Sequence, residues 1–386
     1  MSKKESKKKK QPFVPPVFLV SFVLRLRRFL LRSADAVVPS HMALYDRFMG
    51  AAMTSLVHSA ASLRIADILV DGPLYAAQIA ERTGTSVDIL ERTLRVLVSI
   101  NVFRRLPDGR FANNGVSSGL ITGSEGGIRG FSEFFGKKPI LDAWNNLPVT
   151  LNDGVTAFSS VHGKSVWDWL SSDEVALSAF VEGMSSMTEV VAPAIAAAYP
   201  FEEVKSVCDV GGGVGIVLAA ALNRHPHLNG VLFDSQSMLN EAKPHLASWG
   251  ITNRVKLVPG NFFESVPKGV DAYIIKTVLH NWDDNNALNI LRNCRAAMEP
   301  GQRILVVDFF DEADSISTLV PFMDLAGMLI FSGKERNRKS MESLFNEAGF
   351  RFSRLVPLPA CQAIYEGIAV EQSIPQHQVT VKSHSA

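Results

Sequence analysis

Residues 206–222 read SVCDVGGGVGIVLAAAL, and the order of residue types within them decides the fold. Ser206 to Val210 has the length and apolar run of a short buried strand, and Ile216 onward the composition of an apolar helix. The turn between them carries Asp209, Gly211, Gly213 and Gly215 as D-x-G-x-G-x-G. Glycine permits the positive φ that such a turn needs and lets the backbone come close to a ligand. Spacing excludes two common ligands. A dinucleotide fingerprint counted from Gly211 and Gly213 needs glycine where Ile216 stands, and no Lys-Ser/Thr pair follows to make a triphosphate loop.

A carboxylate leading the loop suits S-adenosylmethionine (SAM), whose amino-acid end is cationic and which offers no phosphate to a helix N-terminus. Toward the C-terminus the pattern continues in register. GVLFD is a second strand ending at Asp234, 23 residues after Gly211, where a carboxylate can accept both ribose hydroxyls. RVKLVPGNFF gives a third strand with Asn261 and Phe262 just past its end. DAYIIKTVLHNWDD gives a fourth, ending in Lys276 and followed by His280. After the amphipathic helix NNALNILRNCRAAM and the Pro300-Gly301 break, QRILVVD is a fifth strand ending at Asp308. Strands alternating with helices predict a doubly wound parallel sheet, whose ligands bind beyond the carboxyl ends of the strands. The Gly loop, Asp234, Asn261, His280 and Asp308 all fall at those ends.

Toward the N-terminus the pattern is helical. Apolar residues recur at three and four from His41 to Leu69, where Asp71-Gly72-Pro73 stops them. A helix from Ala76, a turn at Thr83-Gly84-Thr85 and a second helix from Val87 to Ser99 follow, then a hairpin about Pro107-Asp108-Gly109. This is a winged helix. Its second helix mixes Asp88 and Glu91 with Arg92 and Arg95, whereas a phosphate-facing helix should be clearly basic. A packing or dimerisation module is therefore favoured over a DNA reader, and no nucleic-acid partner is expected.

The chain of 386 residues is long enough for two domains, and 47% apolar with 20% charged residues excludes a disordered or collagenous chain. Its net charge of +1 hides a split. Residues 1–32 hold six lysines and four arginines against Glu5, so this arm is +9 and the rest of the chain −8. The uncharged stretch from Gln11 to Leu24 is too short to span a bilayer, and no small-residue cleavage site marks a signal peptide. If Val17 to Val38 is helical, Arg25, Arg28 and Arg32 share one face. Packing of its apolar residues on this protein or its dimer partner is favoured over contact with an anionic membrane surface. Cys208, Cys294 and Cys361 are too few and too scattered for a disulfide framework or a zinc site, which points to a reducing cytoplasm and no metal.

The segments CDVGGGVG, LFD, KTVLHNWDD and GKERN, the last leading into a helix ending in EAGF, together resemble the plant-type SAM-dependent small-molecule O-methyltransferases. That family includes caffeate, hydroxyindole and bacterial polyketide and carotenoid enzymes, and the resemblance covers roughly Tyr45 to Val370. It implies a Rossmann-like class I methyltransferase domain over residues 126–371 behind a helical winged-helix dimerisation domain over 41–125. A basic and apolar arm (1–40) and a polar tail (372–386) flank them. It implies cofactor contacts at Gly211, Asp234, Asn261, Phe262 and Lys276, with Met184 and Thr188 of GMSSMT closing over the site. It implies a homodimer, a base at His280, and supporting acids at Asp308 and Glu335. Asn261 stands where the family usually has Asp, and Asp308 where Glu is frequent.

The chemistry agrees with that carry-over. An aromatic hydroxyl with pKa near 10 needs its proton removed before attack, and histidine, titrating near 6.5, is the suitable base. A carboxylate on its other nitrogen would fix the tautomer; Asp308 and Glu335 are both open for that role. The other histidines have no such context. Phe180, Met184, Phe322 and Met323 flank the cofactor motifs and are the candidates for the acceptor pocket. The expected enzyme methylates a hydroxyl of a small, aromatic secondary metabolite. Two alternatives are a relative using SAM for decarboxylation or hydroxylation, and a winged-helix regulator that senses SAM. Retention of His280 with both acids argues against the former, and the mixed-sign helix against the latter.

Overall fold

The computed structural model describes residues 15–310, 318–359 and 361–371. The lysine run at the start, and the C-terminal tail with His377 and His384, lie outside the described residues.

Helix α1 (Val17–Val37) leads into α2 (Ser40–Phe48), α3 (Gly50–Ser62) and α4 (Ile65–Ile68). The helical run expected from His41 to Leu69 is thus broken twice, at Met49 and at Arg64, whose φ of 51° is left-handed. Helices α5 (Ala76–Thr83) and α6 (Val87–Ser99) and the hairpin β1 (Arg104–Arg105) with β2 (Phe111–Ala112) form the winged helix. Leu90, Leu94 and Leu97 of α6 close one face on a separate core containing Ile79, Phe103 and Phe111. Its outer face is neutralised by exposed pairs, Arg92 with Asp88 and Arg105 with Glu91.

Helix α1 departs from the packing expected within the chain. None of its residues is buried, and its only tie of note is an ion pair from Asp35 to Arg47 of α2. Among the described residues its apolar side chains are not buried within this chain.

Five short helices follow: α7 (Arg129–Phe135), α8 (Lys138–Asn145), α9 (Leu147–Asp153), α10 (Ala157–His162) and α11 (Val166–Ser172). The long α12 (Glu174–Ala198) packs on α7 through glycine. A Cβ on Gly130 would sit 2.6 Å from the Gly183 nitrogen, and one on Gly183 2.7 Å from that of Phe131. Arg129 pairs with Glu182 and, at 2.9 Å, with Glu133, which fixes the crossing. By length and composition α12 could cross a membrane, but Ala179, Gly183, Val191 and Ile195 lie in the protein interior, as an internal packing helix requires.

The sheet is built from β3 (Ser206–Val210), β4 (Asn229–Asp234), β5 (Val255–Pro259), β6 (Ala272–Lys276), β7 (Arg303–Phe309), β8 (Phe350–Pro357) and β9 (Gln362–Ala369). Their order is β5-β4-β3-β6-β7-β9-β8; the first five run parallel, and β9 pairs antiparallel with both β7 and β8. Helices α13 (Ile216–Arg224), α14 (Gln236–Ser248), α15 (Asp284–Ala296) and α17 (Arg338–Glu347) cover it, while α16 (Leu319–Ala326) approaches the strand ends. Val207 and Ile274 face one core, Cys208 and Ile275 the other, as period-two burial on both faces demands. Cys208 and Cys294 are packing residues, both free and buried, and burial pushes the Cys294 thiol up to about 12. The strand order reverses between β3 and β6, so the crevice opens where both the glycine loop and the Lys276–His280 segment emerge.

Candidate active site

The loop after β3 turns on left-handed glycines: φ is 67° at Gly211 and 59° at Gly213. The Gly211 N–H donates to the Phe233 carbonyl at 2.8 Å, and a Cβ there would come within 2.9 Å of Val278 Cγ2. Behind the loop Asp209 is 1% exposed, and its Oδ2 has no hydrogen-bond partner. Burial, with the neighbouring charge of Asp234, pushes its carboxyl up to about 7. Asp234 closes β4, accepting from the Gly213 N–H at 2.9 Å and the Ser235 N–H at 2.7 Å. Burial raises its pKa as well.

Lys276 ends β6, and its ammonium donates to Thr188 Oγ1 at 3.1 Å and Thr277 Oγ1 at 3.2 Å. Thr188 donates in turn to the Met184 carbonyl at 2.7 Å, so α12 is tied to the sheet at the crevice. Burial lowers the Lys276 pKa to about 8 against the pull of Asp308 and Asp209.

His280 sits on a single 3-10 turn, Leu279–Asn281, entered through Thr277 at a φ of 49°. Its Nδ1 lies 2.8 Å from Glu335 Oε1, on a side chain only 2% exposed. Burial pulls the imidazole pKa down, but the charge and hydrogen bond of Glu335, with the charge of Asp308, outweigh it and hold it above its ordinary value. The segment before and after Glu335 grips the same turn. The Lys334 N–H donates to the His280 carbonyl at 2.9 Å, and a Cβ on Gly333 would collide with that carbonyl and stand 2.9 Å from Asn281 Cα. Arg336 donates to the carbonyls of Leu279 and Trp282 and pairs with Asp284 at 2.9 Å. Asp308, at the end of β7, makes no hydrogen bond to His280. It is 2% exposed with Oδ1 unpartnered, and burial pushes it up to about 7.

A cavity of about 300 Å³ joins these parts. Asp209, Gly211, Gly213, Asp234, Phe262, Lys276, Thr188, Met184, His280, Phe180 and Met323 all line it. A second chamber of about 170 Å³ shares Met184, Lys276, Thr277, His280 and Met323 and extends to Phe309 and Gln362, so His280 borders both. Five expected residues do not line the cavity. Gly215 starts α13 and faces Leu232 and Leu246. Asn261 folds into its own turn, its amide donating to Glu264 at 3.1 Å and its oxygen accepting from the Phe263 N–H. Phe322 points outward, 63% exposed, with its ring 5.3 Å from Trp144. Glu335 and Asp308 stand behind the wall.

Sequence reasoning singled out Phe180 but missed the two tryptophans of the aromatic wall. Trp167 and Trp282 stack at 5.7 Å and 23°, and Trp167 also contacts Phe180 and Phe331. Trp282 lay in a motif already quoted and could have been singled out; Trp167 on α11 carries no local signal. Its buried Nε1 has no partner. The residues fit SAM: a buried Asp209 carboxylate whose Oδ2 has no partner beside a loop stripped of side chains, Asp234 at the strand end, and flat apolar rings at Phe262 and Trp282, 6.5 Å apart. Among the described residues no group of His, Cys, Asp and Glu could hold a metal ion.

Two family models match the chain, an O-methyltransferase domain over residues 144–351 and an O-methyltransferase dimerisation domain over 45–123. The mitomycin biosynthesis 6-O-methyltransferase of Streptomyces lavendulae is 34% identical over 82% of this chain and 90% of its own length. Aclacinomycin 10-hydroxylase of Streptomyces purpurascens is 33% identical over 83% of this chain and 89% of its own. Among solved structures, the O-methyltransferase of neocarzinostatin biosynthesis with SAM and 2-hydroxy-5-methyl naphthoic acid superposes with a TM-score of 0.73 at 31% identity. It covers 83% of this chain and 96% of that one.

Proposed function

This chain belongs to the O-methyltransferase family defined by those two domains, it uses SAM, and we propose that His280 is the base that prepares a hydroxyl of a small aromatic acceptor for methylation. When bound, SAM supplies an electrophilic methyl carbon. The protein's own work is to hold the acceptor oxygen in line and remove its proton. His280 Nε2 takes that proton, while Nδ1–H stays on Glu335 and spreads the new charge. The carrying observation is the 2.8 Å bond from Nδ1 to a buried carboxylate, which commits the free nitrogen to the cavity. Trp167, Phe180 and Phe331 form an apolar wall suited to a flat ring, and the naphthoic acid in the related structure supports that class. Asp209, Gly211, Gly213, Asp234, Phe262 and Lys276 hold the cofactor, with Met184 and Thr188 over it.

The enzyme works as a homodimer through its dimerisation domain, and the buried, unbridged Cys208 and Cys294 support a reducing cytoplasmic setting. The neutralised face of α6 supports a role for the winged helix in assembly instead of DNA contact. The test is His280→Ala and His280→Gln with methyl-labelled SAM and a panel of phenols and naphthols. Turnover should fall by about 10²–10⁴ while S-adenosylhomocysteine binding by calorimetry is unchanged. Near-normal turnover overturns the base assignment, and absence of label transfer by the unaltered enzyme to any acceptor favours a hydroxylase-type use of the site.

A further inference from the structure

The methyl-transfer reading makes no use of α1. This helix has 21 residues, none of them buried, and Phe18, Phe22, Leu26, Phe29 and Leu30 stand between 45% and 75% exposed. At 100° per residue Phe18, Phe22, Leu26, Phe29 and Leu30 fall within an arc of about 120°, with Arg25, Arg28 and Arg32 along one edge of it and Arg27 beyond the other. Lys3, Lys4 and Lys7 to Lys10 precede it in sequence, and the family match begins only at residue 45. An apolar stripe of this extent exposed to water marks a surface that something covers.

We propose that helix α1 docks this enzyme on an anionic lipid bilayer surface. The helix lies in the interface with its phenylalanine side among the acyl chains, and its arginines meet acidic head groups. Charge selects the bilayer over a second copy of the helix. The arm carries +9 over residues 1–32, so pairing two arms sets like charges side by side, whereas an anionic surface neutralises them. Four arginines within the helix exclude a spanning orientation.

The experiment is flotation of the full chain with vesicles of phosphatidylcholine alone, or with phosphatidylglycerol or phosphatidylserine added. The variants are Phe22→Ser/Leu26→Ser/Phe29→Ser and Arg25→Glu/Arg28→Glu/Arg32→Glu. The unaltered protein should float with both anionic mixtures and not with the neutral one, and salt should weaken the association. The arginine variant should lose at least about a hundredfold in partitioning, roughly fivefold for each of the three arginine contacts removed before the added glutamates repel the surface, and the serine variant at least tenfold. Both should keep S-adenosylhomocysteine binding and the dimer mass by light scattering. Three results overturn the proposal: protein left at the bottom with anionic vesicles; a serine variant that floats as well as the unaltered chain, which assigns binding to the lysines alone; or a serine variant that falls to a monomer, which assigns the face to a second copy.

Discussion

Replacing Glu335 by Gln separates the charge behind His280 from its geometry. The amide oxygen can still accept from Nδ1–H at the 2.8 Å position of Oε1, and the NH₂ takes the place of Oε2, which has no partner to lose. What disappears is the negative charge. A hydrogen bond to a charged partner contributes about 1.5–3 kcal/mol and a neutral one about 1, so the imidazolium formed in proton transfer loses about 0.5–2 kcal/mol. That lowers turnover about 2- to 30-fold. The pH profile carries the sharper signature. Burial pulls the His280 pKa down and Glu335 pulls it up past its ordinary value, so removing the charge lets burial win and the pKa falls. The acid limb of kcat/KM should therefore move to lower pH as its plateau drops, with S-adenosylhomocysteine affinity unchanged. A lower plateau with an unmoved limb would mean that Glu335 only braces the loop, and a limb moved to higher pH would refute the electrostatic reasoning outright.

Asp308 titrates near 7 in the folded chain against about 3.9 unfolded, so the stability it contributes is present below pH 4 and is lost as pH rises through 7. Asp308→Asn should remove that loss: melting of the cofactor-free protein at pH 8 should rise by about 2–4 °C per kcal/mol recovered, and its decline from pH 5 to 8 should flatten. An unchanged or lower melting point at pH 8 refutes this. Gly333→Ala would drive a Cβ into the His280 carbonyl and displace the turn that Lys334 holds. Turnover should fall at least about tenfold, as expected when a reacting group shifts by about 1 Å, while S-adenosylhomocysteine still binds the separate glycine loop. Full turnover in this variant would show that the turn tolerates the shift.

Of the parallel strands, β3, β6 and β7 were legible because they are buried on both faces and read as apolar runs ending in a polar ligand candidate, while the half-exposed edge strand β5 was legible from its position in the strand–helix alternation. The antiparallel pair was not. β9 carries Glu366 into the sheet interior, where it accepts from Tyr199 at 2.6 Å and Arg354 at 2.7 Å. A buried carboxylate satisfied by the residue after α12 and by the neighbouring strand β8 breaks the apolar pattern that marks a strand, and no periodicity announces the insertion of β9 between β7 and β8. The crossing of α7 on α12 was equally silent, because Gly130 and Gly183 acquire meaning only when brought together.

The candidate site divides the same way. Its cofactor half is assembled from loops that immediately follow strands, so spacing along the chain nearly equals position in space. Its acceptor half is not: the Trp167–Trp282 stack joins residues 115 apart in sequence, and no local rule selects Trp167 from its neighbours. Adjacent residues on a helix diverge by about 100°, so proximity to a motif could not tell Met323, in the cavity wall, from Phe322, turned to solvent. The choice between the two acids has the same root. Asp308 is at a strand end, where sequence logic looks first, yet its carboxylate makes no bond to His280. Glu335 reaches the ring because Gly333 lets its loop press against the His280 backbone. A cofactor site built from local turns and an acceptor wall built from distant helices can change independently. Substitutions at Trp167, Phe180 or Phe331 should therefore redirect acceptor choice while leaving the glycine loop and the His280–Glu335 pair intact.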